Sequence, residues 1–318
     1  MSKETEISQI RKEALIDIHT HSGFDGMHLF KLRYPAFQNI TDLRMKVAGC
    51  GIDYFVTSPM PISTYYDLKI LAEKLELVPS GQQNFPYQKE NAFLLYECEL
   101  FGKGCALPFL AINPREKIKE QLLQLKKWMK RYKIYGLKFH TLATHSRATA
   151  LRGTGFIDLA KLHNLPIMIH AGFSEYAQPK YIFEIAKESP EVRFCITHLA
   201  DFSQELFNFL DTEFPPNIFI DTSPIIAMCV LATYEEVAER KKLDFTNPGL
   251  ILRQLAEKYP DTLIWGTDEP WTTPIDKFGN IIERVTYEDE VHLLNSLPAR
   301  LKQKIAHDNS IRFLAGNT

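Results

Sequence analysis

A chain of 318 residues is long enough for two average domains or for one α/β barrel, so length alone leaves the domain count open. Apolar residues at 45% and charged residues at 24% exclude a disordered or fibrous chain. The 37 basic residues stand against 39 acidic ones, a formal charge of -2, without the long basic stripe that would favour nucleic acid as a partner.

The N-terminus, MSKETEISQIRKEA, is polar and lacks the apolar core of a secretion signal. The five cysteines (Cys50, Cys98, Cys105, Cys195 and Cys229) form no CxxC pair, and their odd number fits a reducing, cytoplasmic setting. From there, short β-rich runs recur. ALIDIH at 14–19, DYFVTS at 53–58, ALPFLAI at 106–112 and YGLKFH at 135–140 give four expected strands. LPIMIH at 165–170, VRFCITH at 192–198, NIFIDT at 217–222 and TLIWGT at 262–267 give four more. Several are almost continuously apolar, as strands of a parallel sheet covered by helices should be.

Helical patterning fills the intervals. Ile118, Leu122, Leu125 and Met129 recur at helical spacing in 117–132, and Phe156, Leu159, Ala160 and Leu162 do so in 156–163. The connection from 58 to 106 has room for two helices around the turn-prone PSGQQNFP at 79–86. The apolar stretch 218–233, broken by Asp221 and Pro224, is too short to span a bilayer and is expected to be core strand plus loop. Long segments at 223–245 and 270–285 are expected to shape a substrate pocket. The alternation predicts a (β/α)8 barrel, one domain over 1–318, with extra helices in the loop after strand two.

The chemistry gathers at the strand ends. Strict alternation along strand one puts Asp17, His19 and His21 on one face and Ile16 and Ile18 on the other, so both imidazoles can meet one ion. His140, His170 and His198 end strands four, five and six, and Asp268 follows strand eight. Five of ten histidines thus lie at one end of the barrel, where about one or two would fall by chance and where barrel enzymes place their active sites. Imidazoles with a carboxylate suit zinc and also accept manganese, iron, cobalt or nickel.

DIHTH at 17–21, YGLKFH at 135–140, IMIHAG at 167–172, CITHLA at 195–200, WGTDEP at 265–270 and the closing LPARLKQKIAHDNSIRFL at 297–314 resemble the amidohydrolase superfamily. Within it, the branch containing metal-dependent hydrolases and aromatic-acid decarboxylases is the most similar. The resemblance implies a single divalent ion on His19, His21, His170 and Asp268, with His198 beside it as a catalytic group. Lys138 matches a position where relatives with two ions carry a bridging carboxylated lysine, although it could instead pair with an interior acid such as Asp17.

His140, Arg33 and Trp271 are candidate substrate contacts, Arg33 through a bidentate grip on a carboxylate. His28 and His145 are expected to be ordinary surface histidines. The expected reaction is hydrolysis of an ester, lactone or amide of a small molecule by a metal-activated water, with Asp268 as the proton-transfer group. Two alternatives are non-oxidative decarboxylation of an aromatic or unsaturated acid on the same site, and a barrel that binds metal or ligand without turnover. A homodimer is the expected assembly, with no membrane partner.

Overall fold

The computed structural model describes residues 7, 10–212 and 214–316. Its centre is a nine-stranded mixed sheet in the order β2-β1-β3-β4-β5-β6-β7-β8-β9. The strands are β1 (Ile16–Phe24), β2 (Phe37–Gln38), β3 (Tyr54–Pro59), β4 (Ala106–Ile112), β5 (Gly136–Phe139), β6 (Ile167–Ile169), β7 (Phe194–Ile196), β8 (Ile218–Asp221) and β9 (Leu263–Ile264). All eight expected strands are present and pair in parallel. The short β2, which has no apolar run to announce it, adds antiparallel to the end of β1. Beyond β9 the chain returns to the first strand: Ile18 N–H donates to Trp265 O, Asp268 N–H to His19 O and His21 N–H to Glu269 O, at 2.7–3.1 Å.

In chain order the helices are α1 (Gly26–Phe30), α2 (Ile40–Gly49), α3 (Leu68–Lys74), α4 (Gln88–Phe101), α5 (Ile118–Met129), α6 (Phe156–Leu162), α7 (Pro179–Glu188), α8 (Gln204–Leu210), α9 (Ile225–Tyr234), α10 (Pro248–Lys258), α11 (Tyr287–Asn295), α12 (Ala299–Gln303) and α13 (Asn309–Ala315). Two of them, α3 and α4, lie in the connection after β3. The expectation of a loop beyond Asp221 is corrected, because 225–234 is helical. Pro224 removes no needed hydrogen bond at that helix start, and Ile225, Ala227, Met228 and Cys229 are buried.

The strands are apolar on both faces because each face has its own partner. Phe55, Leu110, Leu137, Ile169, Ile196 and Ile220 pack with the helices in one core. Val56, Phe109, Met168, Cys195, Phe219 and Ile264 form a second, with Phe313 and Leu314 of α13 beneath them. Gly136 makes room for this second core, since a Cβ there would overlap the ring of Phe109.

Strand β1 departs from strict alternation. Its register against β3 slips by one residue between Asp17 and Thr20, so Ile18 and His19 both turn inward. Ile16 and Ile18 join the second core, and His19 lies directly above them. Asp17 is thereby on the opposite face from His19 and His21. It accepts hydrogen bonds from Thr267 N–H and Oγ1 at 3.1 and 2.7 Å.

Candidate active site

Each residue of the site is held by a strand end or the turn that follows it. His21 Nδ1 lies 2.9 Å from Pro59 O, and His19 Nδ1 lies 2.6 Å from Asp221 Oδ2 and 3.0 Å from Ser223 Oγ. A carbonyl oxygen can only accept, so His21 Nδ1 carries a proton and donates it to Pro59 O. Lys138 Nζ donates to His19 Nε2 at 2.8 Å, which makes that nitrogen the acceptor and leaves Nδ1–H to face Asp221.

The two Nε2 atoms face each other 3.2 Å apart, and Asp268 Oδ1 lies 3.3 Å from the first and 3.2 Å from the second. Lone pairs gathered this closely favour a cation among them; Lys138 Nζ already meets His19 Nε2 at 2.8 Å. Donors about 2.0–2.1 Å from a tetrahedral ion stand about 3.3 Å apart, which matches this triangle. The donor set therefore fits a divalent metal. Asp221 makes a second such group with His19 and His198.

His170 stands to one side of this triangle. Its ring stacks on His140 with centroids 4.1 Å apart, it meets His198 edge-on at 4.9 Å, and its Nδ1 is buried without a hydrogen-bond partner. His170 is in neither of the two close groups of possible ligands among the described residues. His198 is fixed by Nδ1–H donating to Ser223 O at 2.8 Å, and the same nitrogen lies 4.0 Å from Asp268 Oδ2. Backbone strain holds it: His198, Leu199, Ala200, Asp201 and Phe202 all have φ between 46° and 60°, a conformation costing roughly 1–2 kcal/mol per non-glycine residue. Burial of Leu199 and Phe202, with bonds from Lys241 N–H to Phe202 O and from Gln204 N–H to Glu239 O, opposes that cost.

Burial, reinforced by neighbouring Lys138, pushes His19 well below the usual imidazole value. Burial likewise lowers His140 and His170, and it brings His198 to about 4 against the opposing pull of Asp268. Neutral imidazoles are the form that binds metal. Burial acts to raise Asp268, but His198, His21 and Lys138 outweigh it and hold the carboxyl below its ordinary value.

Lys138 does not pair with Asp17, which the bulge carries to the other face of the sheet. Its Nζ donates to His19 Nε2 at 2.8 Å, and burial pushes its pKa down to about 8. Arg33 also departs from its expected place: it packs along Gly279 in the segment after Trp271 and lines no wall of the cavity.

The cavity beside these groups, about 350 Å³, is lined by His21, Asp25, Met27, His28, Pro61, Ile62, His140, Leu142, His170, His198, Asp268 and Trp271. His140 and Trp271 are thus where the sequence places them. His28 is not an ordinary surface group, because it stands edge-on to Trp271 at 4.6 Å.

The sequence of residues 82–315 matches the family model described as "Amidohydrolase". The chain belongs to the amidohydrolase family. No curated protein matches it. This amidohydrolase is similar in fold to a 5-carboxyvanillate decarboxylase from Novosphingobium aromaticivorans, solved with manganese and 4-hydroxy-3-methoxy-5-nitrobenzoic acid. Identity there is 10%, coverage 95% of this chain and 96% of that one, and the TM-score 0.60. It is also similar to a probable 2-pyrone-4,6-dicarboxylic acid hydrolase from Acinetobacter baumannii (14% identity, 95% and 99% covered, TM-score 0.57). A 2,6-dihydroxybenzoate decarboxylase from Rhizobium matches at 12% identity, with 95% and 98% covered and a TM-score of 0.57.

Proposed function

We propose that this amidohydrolase is a single-domain, closed (β/α)8 enzyme that removes carbon dioxide, without oxidation, from a small single-ring carboxylic acid. The cavity wall carries the reading. Beside the polar centre stand Met27, Pro61, Ile62, Leu142 and Trp271, an apolar surface wide enough for one ring. Apolar surroundings raise the energy of a carboxylate more than that of a transition state whose charge is spreading into the ring as neutral carbon dioxide leaves. Two of the similar structures are decarboxylases of ring acids, which supports the same reaction type.

His19, His21, His170 and Asp268 are the proposed holders of one divalent ion. Bound there, the ion would supply positive charge that orients the carboxylate or a neighbouring hydroxyl of the substrate; manganese and zinc both suit the donors. Asp268 takes a proton from a water and passes it to the ring carbon as the bond from that carbon to the carboxylate breaks and neutral carbon dioxide leaves. His198, its Nδ1–H engaged by Ser223 O, has Nε2 left to position the acid. The apolar walls keep bulk water from the reacting carbon.

Hydrolysis of an ester, lactone or amide is a second reading, favoured by the electrostatics of Asp268. Its carboxyl is held below the ordinary value, ready to take a proton from water. Metal-reconstituted protein should be offered carboxyl-labelled hydroxybenzoates, their esters and matching lactones in oxygen-18 water. Labelled carbon dioxide with no oxygen-18 in the ring product is expected. Oxygen-18 in a new carboxylate would transfer the assignment to hydrolysis, and inactivity of fully metal-loaded protein on all of them would overturn both.

A further inference from the structure

The charge balance of the cavity, taken together with the proposed decarboxylation on which this inference rests, narrows the acids that the site admits. None of the described residues lining the cavity is a lysine or an arginine. Arg33, which the sequence offered as a carboxylate grip, is packed along Gly279. The lining instead contains two acids. Asp268 belongs to the polar centre, where His19 and His21 surround it. Asp25 stands outside that centre, just past the end of β1, and is 1% exposed.

Asp25 is fixed from two sides. Its Oδ1 accepts from His28 N–H at 2.8 Å, and its own N–H donates to Ala36 O at 2.9 Å. Burial acts to raise the Asp25 carboxyl above its ordinary value, against the opposing pull of the His28 N–H and of the His28 and His21 rings; no guanidinium or ammonium is among the groups that act on it. A bound divalent ion would compensate one carboxylate of a substrate. A second carboxylate would meet no cation in the wall and would approach a buried anion, a juxtaposition that strongly disfavours binding.

We propose that Asp25 is a specificity-determining residue: its carboxylate rejects a second acidic group on the substrate and admits in its place a neutral hydroxyl or amino group, whose hydrogen it can accept. The site therefore selects ring acids with a single carboxylate.

Asp25→Asn separates this role from a structural one. The amide keeps an oxygen for His28 N–H, so the helix cap survives while the negative charge is lost. Binding of 2-hydroxybenzoate, with one carboxylate, and of 4-hydroxyisophthalate, the same ring with a second, is measured by titration calorimetry on manganese-loaded protein. The wild type should bind the monoacid at least tenfold more tightly than the diacid, and D25N should cut that preference at least fivefold, chiefly by tightening the diacid. Equal preference in the two proteins overturns the proposal, as does tight diacid binding by the wild type or an equal weakening of both acids in D25N. Discriminating binding without carbon dioxide release would sink the proposed reaction but keep the role of Asp25. Turnover with an unchanged preference would do the reverse, and failure to bind either acid would remove both.

Discussion

His19 and His21 hold their Nε2 atoms 3.2 Å apart, because Asp221 and Pro59 O engage the opposite nitrogen of each ring. A divalent cation there would take the place that Lys138 Nζ holds against His19 Nε2 and bind both rings at once. Chelation should therefore lower stability. A metal present at a hundred times its dissociation constant stabilises by about 2.7 kcal/mol, so removing it should lower Tm by about 4 °C for a chain of this size. Scanning calorimetry before and after chelator treatment, with manganese or zinc added back, measures this; an unchanged Tm would refute a metal on these residues.

Asp268→Asn keeps the size of the side chain but removes its ability to carry a proton. Turnover should fall by about 10²–10⁴-fold, the usual contribution of a positioned acid or base. Circular dichroism and metal content establish whether the folded, loaded state persists. A fully active, metal-loaded variant would end the proton-transfer role.

Asp221→Asn tests the support behind His19. Its carboxylate receives the imidazole Nδ1 at 2.6 Å and also Ser223 Oγ at 2.7 Å. Loss of such an outer partner weakens metal binding about 10–100-fold. Competition against a chromogenic chelator reads the constant directly, and unchanged affinity would show that His19 is oriented by other contacts.

Glu290 on α11 predicts a pH dependence of stability. Its Oε1 accepts from Ile226 N–H at 2.9 Å while Oε2 is buried without a partner. Burial, with Asp17 and Asp221 adding to it, pushes the carboxyl from 4.5 up to about 8. Between these values the folded state binds more protons than the unfolded one. Stability therefore falls as pH rises through the window, by up to about 1.4 kcal/mol per unit from this group. Chemical denaturation from pH 5 to 8 should show the decline. Glu290→Gln, which keeps an oxygen for Ile226 N–H, should flatten it and be the more stable protein at pH 8; an equal slope in both would remove Glu290 as the cause.

The strands were legible because parallel strands buried on both faces leave long apolar runs, and the residues ending those runs were legible for the same reason. Asp221 could have been found by that rule, since it ends NIFID as His170 ends IMIH. The bulge in β1 could not, because a one-residue slip leaves no mark on the alternating sequence; it carries Asp17 to the far face and brings Ile16 and Ile18 onto the side of His19. Arg33 was misplaced for a different reason: a loop side chain follows contacts such as Gly279 that no periodicity encodes. Asp25, Met27 and His28 reach the cavity on the short helix α1 and its cap, and Ile62 on a loop, whose courses depend on the packed whole; the helix at 225–234 was hidden by an all-round apolar sequence that fits a buried strand equally well.

The bulge also decides how the site communicates with its surroundings. Ile18 and His19 are consecutive, yet one belongs to the apolar floor with Met168, Cys195 and Phe219 and the other to the polar centre. The polar centre is therefore backed by side chains that offer it no hydrogen bond, and the groups that can compete for its ligands stand on the cavity wall. A bulkier side chain at Met27, Pro61, Leu142 or Trp271 would take up space along that wall and shrink the room left for a ring.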